Sequence, residues 1–182
     1  PLAQARRQAA SAHDLIVTSG GVSTGEADYV RDAVEAIGSL GFWRVAIKPG
    51  RPVALGVIRA EGGDSAAFVG LPGNPVAVFV TFVRVVKVLL RRLSGARAQA
   101  LVPLPVRVGF AYKKKKNRRE YVRVSLVRTA AGELEAVKHP QDGAGILTSL
   151  TQTDGLLEFT EETASVAPGD RVGFLSYSVL MD

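Results

Sequence analysis

Cysteine is absent from this sequence, which excludes disulfide staples and thiolate metal sites. The absence fits a reducing compartment. The start also lacks the basic flank and apolar run of a secretory leader, so the expected location is cytoplasmic. Histidine is nearly as scarce: His13 and His139 are the only two and stand far apart. That excludes a histidine-rich metal site and argues against a histidine-based catalytic triad. No stretch of about 20 apolar residues is free of charge, as a helical membrane span requires, and no span is expected. An initiator methionine is missing as well, and a chain that starts at Pro1 reads as a piece of a longer one.

What is present is 182 residues with a 47% apolar fraction, enough for one large or two small domains with cores of their own. The net charge of +6 and an isoelectric point of about 9.9 favour anionic partners. Much of that charge sits in one run, Lys113, Lys114, Lys115, Lys116, Arg118 and Arg119. Aromatic residues, the usual stacking platforms for bases, are sparse around it, and strand-like patterns enclose it. The run is expected to be a mobile hairpin tip, with no nucleic acid as partner.

The strongest local signal is the stretch 14–28, Asp-Leu-Ile-Val-Thr-Ser-Gly-Gly-Val-Ser-Thr-Gly-Glu-Ala-Asp. Residues 15–18 read as a buried strand and Gly20 and Gly21 as a turn. Ser23 and Glu26 have capping-box spacing and open a helix. Val30, Ala33, Val34 and Ile37 then recur at helical spacing, which gives that helix one apolar face. A strand that turns through glycines into a helix start aims several backbone N–H groups at one point, where the helix dipole adds positive potential. Phosphate or another oxyanion suits that point. Asp28 does not itself bind an anion; a carboxylate there suits a metal ion, a proton or a polar ligand ring. The glycine pair is also consistent with simple relief of steric strain.

Before this stretch, residues 2–12 read as a helix leading into the first strand. After it, Gly38 and Gly41 punctuate, 42–48 reads as a strand, Pro49 and Gly50 as a turn, and 53–58 and 67–69 as two more strands. In Gly70-Leu71-Pro72-Gly73-Asn74-Pro75, Asn74 suits a helix N-cap and Pro75 the first helical position. The helix 76–93 is almost wholly apolar apart from Arg84, Lys87 and Arg91 on one stripe. It reads as a buried helix of a layered domain, closed by Gly95. Beyond Gly95 the period changes. Short strand-like runs at 106–112, 121–127, 134–137, 156–159 and 172–175 point to a small sandwich or barrel, with no helix longer than three turns. The expected domains are 1–96, α/β, and 97–182, all-β.

Three motifs now stand in order: Thr18-Ser19-Gly20-Gly21-Val22-Ser23-Thr24-Gly25-Glu26-Ala27-Asp28-Tyr29, then Lys48-Pro49-Gly50-Arg51-Pro52, then Gly70-Leu71-Pro72-Gly73-Asn74-Pro75. Together with the β domain behind them, they closely resemble the molybdopterin molybdenumtransferases, the MoeA type related to the catalytic domain of gephyrin. The resemblance covers essentially the whole chain but only the C-terminal part of the family's proteins. It implies a three-layer α/β molybdenum-cofactor domain, incomplete at its N-terminal side, followed by a small β barrel. The implied activity is insertion of molybdenum from molybdate into adenylylated molybdopterin with release of AMP. A divalent cation such as Mg2+ assists, and the family usually works as a homodimer.

By motif, the resemblance assigns Gly20, Gly21, Val22, Ser23 and Gly25, with Pro72, Gly73, Asn74 and Pro75, to the pterin or its phosphate. Asp28 matches an aspartate important for activity and stands as the metal ligand. Lys48, Arg51 and Pro52, with Ser23, match the molybdate pocket. Arg44 takes an often basic position and joins Asp28 and Lys48 in the expected catalytic set, and Arg123 looks like the arginine that reaches towards the anion. A tetrahedral dianion needs donors and positive charge, and Arg51 in place of the usual lysine keeps the charge but alters the geometry. Ala77 and Ala144 stand where many relatives carry serine, and Ser149 is the neighbouring hydroxyl that could compensate. Two other readings follow from the same likeness. One is a pterin-binding adenylyltransferase, against which Val22-Ser23-Thr24-Gly25 and the long tail after Gly95 argue. The other is a non-catalytic scaffold of the gephyrin kind.

Overall fold

Alternation of apolar side chains along the strands builds the first sheet and decides which face each residue joins. The computed structural model describes residues 2–21, 29–97 and 100–182. Contacts group these into two units, Pro1–Val45 with Gly50–Ala98, and Ala46–Pro49 with Gln99–Asp182.

In the first unit, helix α1 (Leu2–Ala10) leads into strand β1 (Leu15–Ser19), and helix α2 (Tyr29–Glu35) leads into β2 (Gly38–Arg44). Strand β3 (Ile47–Lys48) leaves for the second unit, and the chain returns as β4 (Pro52–Arg59) and β5 (Ser65–Leu71). The sheet runs β1-β5-β4-β2, with β1 and β5 parallel and the other pairs antiparallel. Ala54, Ile58, Ala66 and Phe68 point to one face, where Ala10, Val34 and Ile37 from the α1 and α2 side cover them. Val53, Val69 and Leu71 point to the other and meet Val78, Phe82 and Val86. A helical run covers that second face: α3 (Pro75–Thr81), a wider π turn (Phe82–Val86) and α4 (Lys87–Leu93). The unit is therefore helix, sheet, helix in three layers. Each fully buried large side chain such as Phe68 or Ile58 contributes about 1.5–3 kcal/mol.

Three readings of this half change. Gly38 and Gly41 do not punctuate; both lie inside β2. A methyl group on Gly38 would stand 1.9 Å from the Val57 carbonyl oxygen, so glycine there permits β2 and β4 to approach. The 42–48 run is not one strand, because Val45 N–H donates to the Arg51 carbonyl at 3.0 Å and Ile47 and Lys48 join a different sheet. The helical run is buried only in its first part: α4 has no buried residue, and Val88, Leu90 and Leu93 are exposed.

The second unit is built from β6 (Leu104–Val108), β7 (Tyr112–Lys113), β8 (Arg119–Arg128), β9 (Leu134–Lys138), α5 (Thr148–Thr151), β10 (Gly155–Phe159), β11 (Ser165–Val166), β12 (Arg171–Ser176) and α6 (Tyr177–Met181). Among its strands β6-β9-β8-β10-β12-β6 closes into a five-stranded barrel. Only β6–β9 is parallel within that ring. Val106, Val108, Val122, Val124, Ala136, Leu157, Phe159 and Phe174 form its core. β3 adds in parallel to the Arg119 end of β8, on the edge that β9 occupies further along. The helices after residue 105 have four and five residues. The 113–119 run is not a simple hairpin tip: β7 pairs with β11, not with β8. Three of its six cations are also engaged. Lys114 Nζ donates to the Arg118 carbonyl at 2.6 Å, Arg118 pairs with Glu120, and Arg119 pairs with Glu158 and Glu161.

Candidate functional site

Strands β1 and β5 run side by side in register, Ser19 opposite Leu71, and so end together. The carboxyl ends of adjacent parallel strands are where α/β sheets receive ligands. Here both exits turn on glycine. Gly20 and Gly21 adopt positive φ of 81° and 68°, a region that favours glycine. Gly20 N–H donates to the Leu71 carbonyl at 3.0 Å and the Pro72 carbonyl at 3.3 Å, which ties the two turns to each other. Gly73 faces Gly20, and a methyl group placed on it would meet nothing closer than the Gly20 Cα at 3.7 Å. Neither a positive φ nor crowding by the described residues requires glycine at position 73. Among the described residues only Gly20 stands within contact of that position, and a glycine backbone at the end of two strands lets a ligand approach closely.

The surrounding groups fit that cradle. Pro72 is buried, Gly73 and Asn74 are exposed, and Pro75 opens α3 with Asn74 at the cap position. The Asn74 side chain makes no capping bond. Thr18 Oγ1, at the end of β1, is buried with no hydrogen-bond partner among the described residues. Sequence reading passed over Thr18, since a threonine in a strand is ordinary; its signal was its place just before the glycine pair. Val22, Ser23, Gly25 and Asp28, expected here, lie outside the described residues. Among the described residues, no group of three or more histidine, aspartate or glutamate side chains is placed to hold a metal ion.

The register carries two cations to the same end of the sheet. Ala54 pairs with Gly70, and Arg44 with Pro52, so the start of β4 and the end of β2 lie level with the exits of β1 and β5. Arg44 and Arg51 are both exposed. With neighbouring strands about 4.8 Å apart, Arg51 immediately precedes β4, the strand next to the Gly73 exit. Arg44 is one strand further out.

Lys48 and Arg123 belong to the second unit, which does not bring them to one point. Lys48 lies opposite Glu120 in the β3–β8 register, with Nζ 3.4 Å from Oε2. Arg123, three positions along β8 from Glu120, points from the opposite face. It is buried, and its fork donates to the Gln141 carbonyl at 2.9 Å and the Gly143 carbonyl at 3.3 Å. Nε of Arg123 has no partner among the described residues. Burial lowers its pKa, yet a guanidinium stays charged in a protein. The loop it pins contains Ala144. Ser149 does not replace a missing hydroxyl there: it is fully buried and donates to the Ile146 carbonyl.

Comparison with known proteins completes the description. Residues 1–92 match the family model described as "Probable molybdopterin binding domain", and residues 105–177 match "MoeA C-terminal region (domain IV)". A molybdopterin molybdenumtransferase of Haemophilus influenzae is 32% identical over 174 residues, covering 95% of this chain and 42% of that protein. Gephyrin of Dictyostelium discoideum is 40% identical over 93 residues, 45% of this chain and 13% of that protein. The crystal structure of a molybdopterin biosynthesis MoeA protein from Pyrococcus horikoshii superposes with a TM-score of 0.69 at 26% identity, over 96% of this chain and 40% of that one. The chain thus spans about two fifths of the length of the first and third of these relatives.

Proposed function

The chain belongs to the molybdopterin molybdenumtransferase family of the MoeA and gephyrin type, and from that premise we propose that it supplies the pterin cradle and anion-binding groups of such an enzyme. The reaction is transfer of molybdenum from molybdate to adenylylated molybdopterin, with release of AMP. The observation that carries this reading is the paired glycine exit of β1 and β5, with Gly20 tied to Leu71 and Pro72 and Gly73 facing Gly20. Gly20, Gly21, Val22, Ser23 and Gly25 take the pterin or its phosphate, together with the Pro72, Gly73, Asn74 and Pro75 loop, and the Thr18 hydroxyl, which has no partner among the described residues, donates from the floor.

Molybdate is met by cations. In the first unit Arg51 and Arg44 stand level with the cradle, and Arg51, Pro52 and Ser23 are its molybdate-binding residues in this reading; in the second unit Lys48 offers a compact ammonium. Arg123 shapes the loop at Gly143 and keeps Nε in reserve for an oxyanion. A divalent cation, Mg2+ in this reading, would be held by Asp28 and would supply charge to assist departure of AMP. The enzyme works as a cytoplasmic homodimer. Among the described residues, no helix is long and apolar enough to cross a membrane.

The test is molybdate-dependent release of AMP from adenylylated molybdopterin by the protein extended to the length of its relatives. Absence of release would leave the scaffold reading standing. Asp28→Asn keeps the shape and removes the charge, so it should depress cation-assisted turnover more than molybdate affinity. Lys48→Ala removes a charge-assisted hydrogen bond of about 1.5–3 kcal/mol, a tenfold to hundredfold loss of anion affinity, with pterin binding retained. Equal loss of both functions in both variants would contradict the division of roles.

A further inference from the structure

Lys48 stands on an element too short to fix it. β3 is two residues long, paired only through Ile47 with Arg119 and Lys48 with Glu120. The Lys48 side chain is 55% exposed, on a flexible four-carbon stem. Glu120 is the opposite case. Its side chain is 1% exposed and is held from three directions. Tyr112 donates its hydroxyl to Oε2 at 2.7 Å, and Arg118 donates Nε to Oε1 at 3.1 Å with Nη2 on the same oxygen. The third is Lys48 Nζ, 3.4 Å from Oε2. Tyr112 is itself clamped. Its ring stacks on Phe159 at 5.0 Å and meets Phe110 edge-on at 6.4 Å, with the Lys138 ammonium 5.7 Å from its centre.

We propose that Glu120 is the positioning residue for Lys48: it anchors one of the three ammonium donors and so aims the other two at an oxyanion. The inference rests on the reading above, in which that oxyanion is molybdate. A carboxylate near an anion pocket ordinarily repels the ligand. Here both of its oxygens are already occupied, Oε1 by Arg118 and Oε2 by Tyr112 and Lys48. Two cations and one anion leave the cluster with one net positive charge. Burial pushes the Glu120 carboxyl up, but the bonds from Arg118 and Tyr112 and the charge of Lys48 outweigh it, so the group is ionised at neutral pH. Glu120 thus orients the lysine without cancelling it.

A double-mutant cycle on the full chain tests this, with molybdate binding measured by equilibrium dialysis. In Glu120→Gln the amide oxygen can still accept from Arg118. The amide nitrogen can donate to the Tyr112 hydroxyl, so the partner lost is Lys48. We expect Lys48→Ala to weaken molybdate binding tenfold or more and Glu120→Gln to weaken it about three- to tenfold. On the Lys48→Ala background, Glu120→Gln should add nothing further. Parent-like affinity in Glu120→Gln, or the same loss in both backgrounds, overturns the positioning role while leaving the Lys48 assignment intact. Parent-like affinity in Lys48→Ala overturns the assignment of Lys48 to the anion and the inference with it. If Glu120→Gln does not fold, Glu120→Asp draws the carboxylate away from the ammonium while keeping its charge. The same cycle then applies with that variant.

Discussion

Glu120 places a charge where water hardly reaches, and the cost of that placement sets a pH dependence. Its folded pKa lies below the ordinary glutamate value despite burial, because Arg118, Tyr112 and Lys48 favour the ionised form. A depressed acid contributes its stability fully above its unfolded pKa and loses it as pH falls through the folded one. The barrel unit should therefore lose stability as pH falls below the ordinary glutamate range. Glu120→Gln should flatten that decline and cost about 1–3 kcal/mol at pH 7, as read from urea midpoints across the range. An unchanged slope would assign the acid sensitivity elsewhere. The other carboxylate pulled down by a neighbour, Glu161 through its hydrogen bond from Arg119, is half exposed and should contribute little. Arg123 makes a different contribution, since its planar fork spans the Gln141 and Gly143 carbonyls. Lysine cannot span both, so Arg123→Lys should cost about 1–3 kcal/mol. Hydrogen exchange should quicken at the Gln141 amide, and unchanged protection there would argue against the pinning.

Among the strands, two glycines that look alike should behave in opposite ways. Gly38→Ala drives a methyl group into the Val57 carbonyl, backbone against backbone, and should cost about 2–4 kcal/mol in urea unfolding. Among the described residues Gly73→Ala meets only an ordinary contact with Gly20, so the fold should stand, while the methyl group stands in the way of the ligand and pterin binding falls. A destabilised Gly73→Ala, or one that binds normally, would remove the case for the cradle. What was legible in the sequence divides along the same line. Unbroken apolar runs bounded by turn residues exposed β4 and β5, because both faces of each are covered. Glycine and proline punctuation exposed the exits of β1 and β5. The split of 42–48 between two sheets left no trace, since alternation says which face a residue takes and not which strand lies beside it. Two-residue strands such as β7 and β11 carry no period at all. Glu120 sits in an Arg-Arg-Glu-Tyr string that reads as surface, and only the fold reveals that it is buried. The apolar tail of α4 misled in the other direction, because apolar composition does not ensure a covering layer.

At the scale of the whole chain, the barrel ring closes through β6, β9, β8, β10 and β12, and β3 is an addition to it. Residues 100–182 should therefore fold alone, with a cooperative thermal transition and dispersed amide resonances. Their Glu120 lacks the Lys48 partner, so the transition should lie a few degrees below that of the same unit in the full chain. A broad, non-cooperative melt would show that the ring needs β3. The chain passes between the units three times, because Ala46–Pro49 is drawn out of the first unit and returned to it. That detour has a meaning in time. During synthesis Lys48 leaves the ribosome about 70 residues ahead of Glu120, roughly 4–14 s at usual elongation rates. The sheet that flanks β3 in sequence can be complete by then, with β3 itself still waiting for β8. A pause in translation anywhere between the two strands would prolong that wait and leave nascent chains with a finished cradle and an unplaced lysine.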